Sequence, residues 1–325
     1  MFYFITLAKA NTFFFINPRL KPWVNRKNYI GFSQSLLRNK EQNVQECDAR
    51  DDAISTSAGF TKNPFILHAK VIELKKIKLG AVSYLNTKPL LYGIKRSKKL
   101  MEMIELVEDY PAKIAAMLVD GTIDAGLAPV AVIPRLREHH IVSDYCIGAN
   151  GDVASVCLFS EVPVNKIEKV LLDYQSRTSV NLCKVLLKHY WKIGPRIEEA
   201  KENYISEIKG TTAGVVIGDR ALNQRKVSPY IYDLAGSWKA MTGLPFVFAT
   251  WIANKKLPAD FITLFNEANK LGLLHINEVI AENPCPVYDL QTYYATNISY
   301  TLDEQKLKGM KQFLQYLKVA APVNG

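Results

Sequence analysis

Two segments of the chain place polar side chains between an apolar, strand-like run and a helix-like run. The first apolar run ends at Val82, and Ser83 and Asn86 separate it from a helical pattern that opens around Pro89. Open α/β sheets bind ligands at this position, where a carboxamide can donate to a carboxylate and accept from a hydroxyl. Asn is also a frequent helix N-cap, and its position alone favours capping for Asn86.

The second segment follows the strand-like run that ends at Tyr174. Ser176, Arg177, Thr178 and Ser179 then open a helical pattern. The free N–H groups of a first helical turn, three hydroxyls and a guanidinium together make a good anion site. A Ser/Thr cap with a solvated Arg is the other interpretation, and these residues alone favour neither.

Three further positions are weaker candidates. Ser155 follows a Gly/Asn turn near the start of a strand, where a lone Ser is usually structural. Asp219 ends a strand and enters a helix, which is typical of an N-cap. Thr242 and Gly243 belong to a Thr-Gly-Leu-Pro turn that could line a cleft, while the Trp residues on either side of it are typical of a core.

Several chemistries have no signal in the sequence. There is no G-x-S-x-G elbow and no Walker loop, and the adjacent His139 and His140 point apart on any regular element. The five cysteines include no C-x-x-C pair, so we expect no metal and no disulfide framework. The candidate cleft therefore has hydroxyls, amides and one Arg, with no obvious His or Glu base. Such a site binds an anion; if catalytic, it positions and stabilises charge or uses the substrate's own base.

Charge and composition limit the partners. The net charge of the 325-residue chain is +10, of which residues 1–70 and the remainder each contribute +5. Over some 255 residues, +5 is a weak field that suits an anionic small molecule. No Lys/Arg run interleaved with aromatics indicates nucleic acid, and no apolar run reaches the roughly 18 residues of a membrane span. The cysteine usage favours a reducing compartment; the oligomeric state stays open.

The first part of the chain differs from the rest. Residues 1–40 contain several Lys/Arg and no acid, and residues 41–62 are polar without periodicity. This composition faintly resembles a transit peptide. We interpret residues 1–72 as a leader, disordered or outside the folded unit; a functional targeting arm is the alternative.

From Lys76 onward, short strand-like runs alternate with amphipathic helical ones, which predicts an α/β protein with mostly parallel sheets flanked by helices. Two such sets follow each other without a linker. We therefore expect two lobes, with the chain crossing over and returning, and a ligand cleft between them. The predicted bounds are 73–162 plus 256–320 for the first lobe and 163–255 for the second.

Five segments then carry a resemblance that runs from about Lys76 to Lys318: "VSYLNTKPL", "IDAGLAPV", "LDYQSRTSV", "VIGDRAL" and "DLAGSWKAMTGLPFVFATW". In this order and spacing they resemble the chorismate dehydratases of the futalosine route to menaquinone. The resemblance implies a periplasmic-binding-protein type II fold. It also implies a cytosolic hydro-lyase that converts chorismate to 3-[(1-carboxyvinyl)oxy]benzoate without a cofactor.

The resemblance also assigns residues. Asn86 and Ser155 match the family's site Asn and Ser and become the expected catalytic residues, and the Ser-Arg-Thr-Ser turn matches at 176–179. We further expect Ser83, Asp219, Thr242 and Gly243, which lie in or next to matching segments, to bind substrate. Two alternatives remain: a sister enzyme of the same pathway on the same fold, and a non-enzymatic receptor for a small carboxylate.

Overall fold

The computed structural model describes residues 3–6, 13–16 and 75–320. The chain divides into two compact units, Met1–Leu74 and Lys75–Gly325. In the first unit, β1 (Tyr3–Thr6) pairs antiparallel with β2 (Phe13–Ile16). Apart from these two strands, the predicted leader lies outside the described residues, and its role stays a prediction.

The second unit alternates strands and helices, as the sequence pattern predicts. Its strands are β3 (Ile77–Val82), β4 (Ile104–Asp109), β5 (Ala125–Pro129), β6 (His140–Ala149), β7 (Val156–Ser160), β8 (Lys169–Leu172), β9 (Arg196–Glu199), β10 (Thr212–Ile217), β11 (Tyr230–Asp233), β12 (Phe246–Ala253) and β13 (Ser299–Thr301). Its helices are α1 (Lys88–Arg96), α2 (Lys98–Met103), α3 (Pro111–Val119), α4 (Thr178–His189), α5 (Asp219–Gln224), α6 (Leu234–Thr242), α7 (Ala259–Leu274), α8 (Ile276–Glu282), α9 (Leu290–Thr292) and α10 (Glu304–Ala320). A π-helical turn over Tyr293–Asn297 continues α9.

Two sheets organise this unit into two lobes, as predicted. The first sheet has the strand order β13-β6-β12-β5-β3-β4, and the second has the order β11-β7-β10-β8-β9. Strands β4, β3 and β5 run parallel in the first sheet, as do β9, β8 and β10 in the second. The remaining pairs are antiparallel. The sheets are therefore mixed rather than mostly parallel, because continuous apolar runs report burial on both faces and carry no information on strand direction.

The chain crosses between the lobes earlier than the predicted bounds. Strand Val156–Ser160 already pairs in the second sheet, and strand Phe246–Ala253 already pairs in the first. The crossings thus lie between β6 and β7 and between α6 and β12, rather than at 162/163 and 255/256. Both strands are buried throughout. Their apolar composition therefore did not distinguish them from strands of the other lobe, and the sequence placed the boundaries too late.

Close helix packing fixes the start of α1, which follows the segment with Asn86. A Cβ atom on Gly93 would lie 1.8 Å from the carbonyl oxygen of Ala268, and one on Gly272 would lie 1.6 Å from that of Pro89. Helices α1 and α7 therefore meet backbone to backbone, which only glycine permits. The helix that supports one side of the cleft is held rigidly against the lobe.

The two Trp residues around the Thr-Gly-Leu-Pro turn belong to the core, which confirms that interpretation. Trp238 and Trp251 are fully buried. The Trp251 Nε1 donates to Asn269 Oδ1 at 3.0 Å, so its one polar atom is satisfied. Trp238 packs edge-on against Phe246 and Phe313. Within the described part of the chain, no helix is both long and apolar enough to cross a membrane.

Candidate functional site

A cavity lies between the lobes at the carboxyl ends of β3, β5 and β10. This is the place where α/β sheets bind ligands. Both sheets contribute to the wall. The residues that line it are Val82, Tyr84, Asn86, Thr87, Pro111, Leu127, Pro129, Ile147, Val153, Val156, Ser176, Thr178, Ser179, Ile217, Gly218, Phe248 and Ala249.

The wall combines an apolar surface with two helix starts. Asn86 and Thr87 precede α1 of the first lobe, and Ser176, Thr178 and Ser179 open α4 of the second. The N–H groups of a first helical turn carry partial positive charge and favour anions. No lining residue is charged. An anion in this cavity is therefore held by backbone dipoles, hydroxyls and a carboxamide.

Asn86 reaches the cavity and does not cap α1. No side-chain hydrogen bond caps that helix. The Asn86 Oδ1 accepts from Thr87 Oγ1 at 3.1 Å, and the Asn86 carbonyl oxygen accepts from the hydroxyl of Tyr300 at 2.8 Å. The side chain of Asn86 is almost wholly buried. Its amide Nδ2 makes no hydrogen bond to a described residue, so it is free to donate to a ligand.

The Ser-Arg-Thr-Ser turn divides into a cavity side and a solvent side. Ser176 Oγ accepts from the N–H of Ser179, in the first turn of α4, at 3.0 Å. Thr178 Oγ1 accepts from the Ala131 N–H of the other lobe at 3.3 Å. Arg177 is exposed and does not line the cavity. Three of the four predicted contacts thus meet in the cavity wall, and the guanidinium is the exception.

Ser155 lies directly behind the cavity wall. It is fully buried between two lining residues, Val153 and Val156. Its Oγ accepts a hydrogen bond from the hydroxyl of Tyr293 at 2.7 Å. The prediction that Ser155 is catalytic stays a prediction, and the structure gives its hydroxyl a specific partner.

Asp219 connects the lobes instead of capping α5. The N-cap position of α5 is Gly218, and the Asp219 Oδ1 accepts from the Leu85 N–H of the first lobe at 3.1 Å. Burial raises the pKa of the Asp219 carboxyl. Neither Asp219 nor the exposed Ser83 lines the cavity.

Thr242 and Gly243 close a helix and are not among the residues that line this cavity, so their role in substrate binding stays a prediction. Thr242 Oγ1 donates to the Trp238 carbonyl at 2.8 Å and accepts from the Leu244 N–H at 3.2 Å. Gly243 has φ +75°, the left-handed conformation of a helix C-cap. The turn chemistry that suggested a ligand contact is the chemistry of a helix end.

The structure adds a network that the sequence interpretation missed. The hydroxyl of Tyr84 in the first lobe donates to Gln175 Oε1 in the second. Arg220 Nη2 donates to the same Gln175 oxygen at 2.9 Å and to Asp173 at 2.7 and 3.0 Å. Gly218 has φ +65°, and a Cβ there would lie 2.9 Å from the Tyr84 ring. The signal available in the sequence was Asp173, directly after one apolar strand, and Arg220, three residues after the end of another.

The architecture defines the class of protein. Solved structures that resemble the chain are of the periplasmic-binding-protein fold. One is a Candida albicans protein described as having the generic periplasmic binding protein structural fold (TM-score 0.52, 13% identity, 77% of this chain and 92% of that one). Another is the alkanesulfonate-binding protein SsuA from Xanthomonas axonopodis bound to MOPS (TM-score 0.54, 12% identity, 77% and 94%). The chain has the two-lobed type II form of this fold, as predicted.

The family follows from the sequence comparison. The chain belongs to the menaquinone biosynthesis family, whose model matches residues 77–319. Two relatives are similar over most of their length, and each is a chorismate dehydratase. The protein from Thermus thermophilus is 27% identical over 268 residues, 74% of this chain and 94% of the relative. The protein from Campylobacter jejuni is 25% identical over 246 residues, 74% and 96%.

Proposed function

We propose that this protein dehydrates chorismate to 3-[(1-carboxyvinyl)oxy]benzoate as a cytoplasmic hydro-lyase of menaquinone biosynthesis. The family and the two chorismate dehydratase relatives support this substrate. The observation that carries the proposal is the cavity, which presents a helix start from each lobe around an apolar surface without a charged side chain. Chorismate is a ring with two carboxylates and a leaving hydroxyl, which suits two N–H-rich turns and hydroxyl and amide partners.

The reaction needs a base, and none of the lining residues is His, Asp, Glu, Lys or Cys. In the proposed step, the substrate's own side-chain carboxylate takes the ring proton next to the enolpyruvyl ether. The electron pair of that C–H bond forms the new ring double bond and expels the ring hydroxyl as hydroxide, which takes up a proton and leaves as water. Aromatisation drives the step. The protein then contributes position and charge stabilisation rather than proton abstraction.

Each residue has a role in this proposal. The first turn of α4, with Ser176, Thr178 and Ser179, binds one carboxylate through N–H groups and hydroxyls. Asn86 donates its free Nδ2 to the substrate from the other lobe. Ser155 is the hydroxyl that donates to the leaving group. Apolar lining residues such as Leu127 and Phe248 contact the ring.

The test is to mix the purified chain with chorismate and follow the ultraviolet spectrum and the mass of the product. We expect an aromatic product that has lost one water. Chorismate that binds and stays unchanged would instead indicate a receptor for a small carboxylate. Turnover only of a later, futalosine-derived intermediate would indicate the sister enzyme.

A further inference from the structure

We infer that Tyr293 is a positioning residue of this site, which sets the hydroxyl of Ser155 so that its proton is donated toward the bound substrate. The inference rests on the proposed function. It goes beyond it by assigning a role to a residue 138 positions away in the sequence. The observation is a single hydrogen bond inside the protein: the Tyr293 hydroxyl donates to Ser155 Oγ at 2.7 Å, and both side chains are fully buried.

The backbone around Ser155 is fixed from several sides. Ala154, directly before it, has φ +62°, a conformation that costs free energy for a residue other than glycine. The carboxylate of Asp233 accepts from the N–H groups of Val153 (3.1 Å) and Ala154 (2.8 Å). The carbonyl oxygen of Ser155 accepts from the Gly218 N–H at 2.8 Å. An unfavourable conformation held by this many contacts is characteristic of functional sites.

The hydrogen bond from Tyr293 determines which hydrogen bonds the Ser155 hydroxyl can still form. A hydroxyl has one proton to donate and lone pairs that accept. Because Tyr293 donates to Ser155 Oγ, the serine keeps its own proton for another acceptor. A donor behind it polarises the serine hydroxyl and strengthens its donation. Complete burial raises the pKa of Tyr293 well above its ordinary value, so its hydroxyl keeps the proton that it can donate.

The same part of the chain also fixes the Asn86 turn. Tyr300 donates to the Asn86 carbonyl at 2.8 Å, and Tyr294 donates to the Leu85 carbonyl at 3.1 Å. Residues 293–300 thus contact both proposed catalytic residues, with Tyr293 contacting Ser155 itself.

Tyr293→Phe removes the hydroxyl and little else. Loss of one hydrogen bond of about 0.5–1.5 kcal/mol corresponds to a roughly two- to tenfold lower kcat, and we expect an unchanged KM for chorismate. Tyr232→Phe is the control: the Tyr232 hydroxyl accepts a hydrogen bond of the same length, 2.7 Å, from the Val164 N–H, and neither residue lines the cavity. The control should keep full kcat.

Two measurements separate positioning from mere packing. In a Ser155→Ala background, Tyr293→Phe should lower kcat no further, since its effect passes through the serine; additive losses would overturn the inference, as would an unchanged kcat of Tyr293→Phe alone. A crystal structure of Tyr293→Phe adds a readout that needs no turnover, and we expect the Ser155 side chain in a different rotamer. An unaltered rotamer overturns the inference, whereas a wild-type chain without chorismate turnover contradicts only the proposed function.

Discussion

Arg220→Ala tests how much the ion pair between Arg220 and the buried Asp173 contributes to the free energy of unfolding. The Asp173 side chain is fully buried, whereas 31% of the Arg220 side chain is exposed. Removing one partner of a buried ion pair costs about 3–5 kcal/mol, because it leaves an uncompensated charge. Two backbone N–H groups also donate to this carboxylate, those of Gln175 (3.0 Å) and Ile217 (3.2 Å). These two N–H groups still stabilise the carboxylate when Arg220 is absent. We therefore expect a loss of stability at the lower end of that range, about 3 kcal/mol.

The measurement is urea unfolding together with the melting temperature. A loss of about 3 kcal/mol corresponds to a melting temperature lower by roughly 6–12 °C for a domain of this size. Arg196→Ala is the matched control in the same lobe. Arg196 pairs with Glu198, but 77% of its side chain is exposed, and such pairs contribute about 1 kcal/mol or less.

A second substitution identifies the cause. If the cost arises from the orphaned carboxylate, Asp173→Asn in the Arg220→Ala background should recover part of the lost stability. Equal destabilisation by Arg220→Ala and Arg196→Ala would refute the reasoning. So would a double variant that is less stable than Arg220→Ala, because the arginine would then act through packing and not through the charge of Asp173.

Four further outcomes are expected. Asn86→Ala and Ser155→Ala should each lower kcat/KM by roughly tenfold to a hundredfold, since a hydrogen bond to a charged group contributes about 1.5–3 kcal/mol; near-normal values with an intact fold would return both to structural roles. Arg177→Ala should leave the product-inhibition constant and melting temperature nearly unchanged, because the residue is exposed; a weaker inhibition constant would restore the predicted carboxylate contact. A chain that starts near Val71 should fold and turn over chorismate like the full chain, and loss of soluble protein would contradict the leader interpretation. Asp219→Asn should gain stability relative to the wild type as the pH rises from acid to neutral, measured by urea unfolding. The raised pKa of the Asp219 carboxyl means that its contribution is present in acid and is lost as the pH rises through that pKa.

Much of the local structure followed from periodicity. The strand-like run that ends at Val82 is β3, which ends at that residue. The helical pattern that opens with Ser176, Arg177, Thr178 and Ser179 is α4, Thr178–His189. The sequence also placed Asn86 and the Ser-Arg-Thr-Ser turn at strand ends, and the structure brings most of these side chains to one cavity. Such predictions succeed because one face of a short segment, its cap residues and its position after a strand are properties of neighbouring residues.

Tertiary structure decided the rest, since it depends on pairs distant in sequence. Strand direction, the points of crossover, and the exposure of Arg177 beside three buried neighbours follow from how the lobes pack. The contacts of Tyr84 with Gln175 and of Tyr293 with Ser155 join residues 91 and 138 positions apart. A tyrosine in a sequence looks the same whether its hydroxyl meets solvent, a carbonyl or a proposed catalytic serine. Only the folded chain specifies its partner, because a buried hydroxyl must find one within the core that surrounds it.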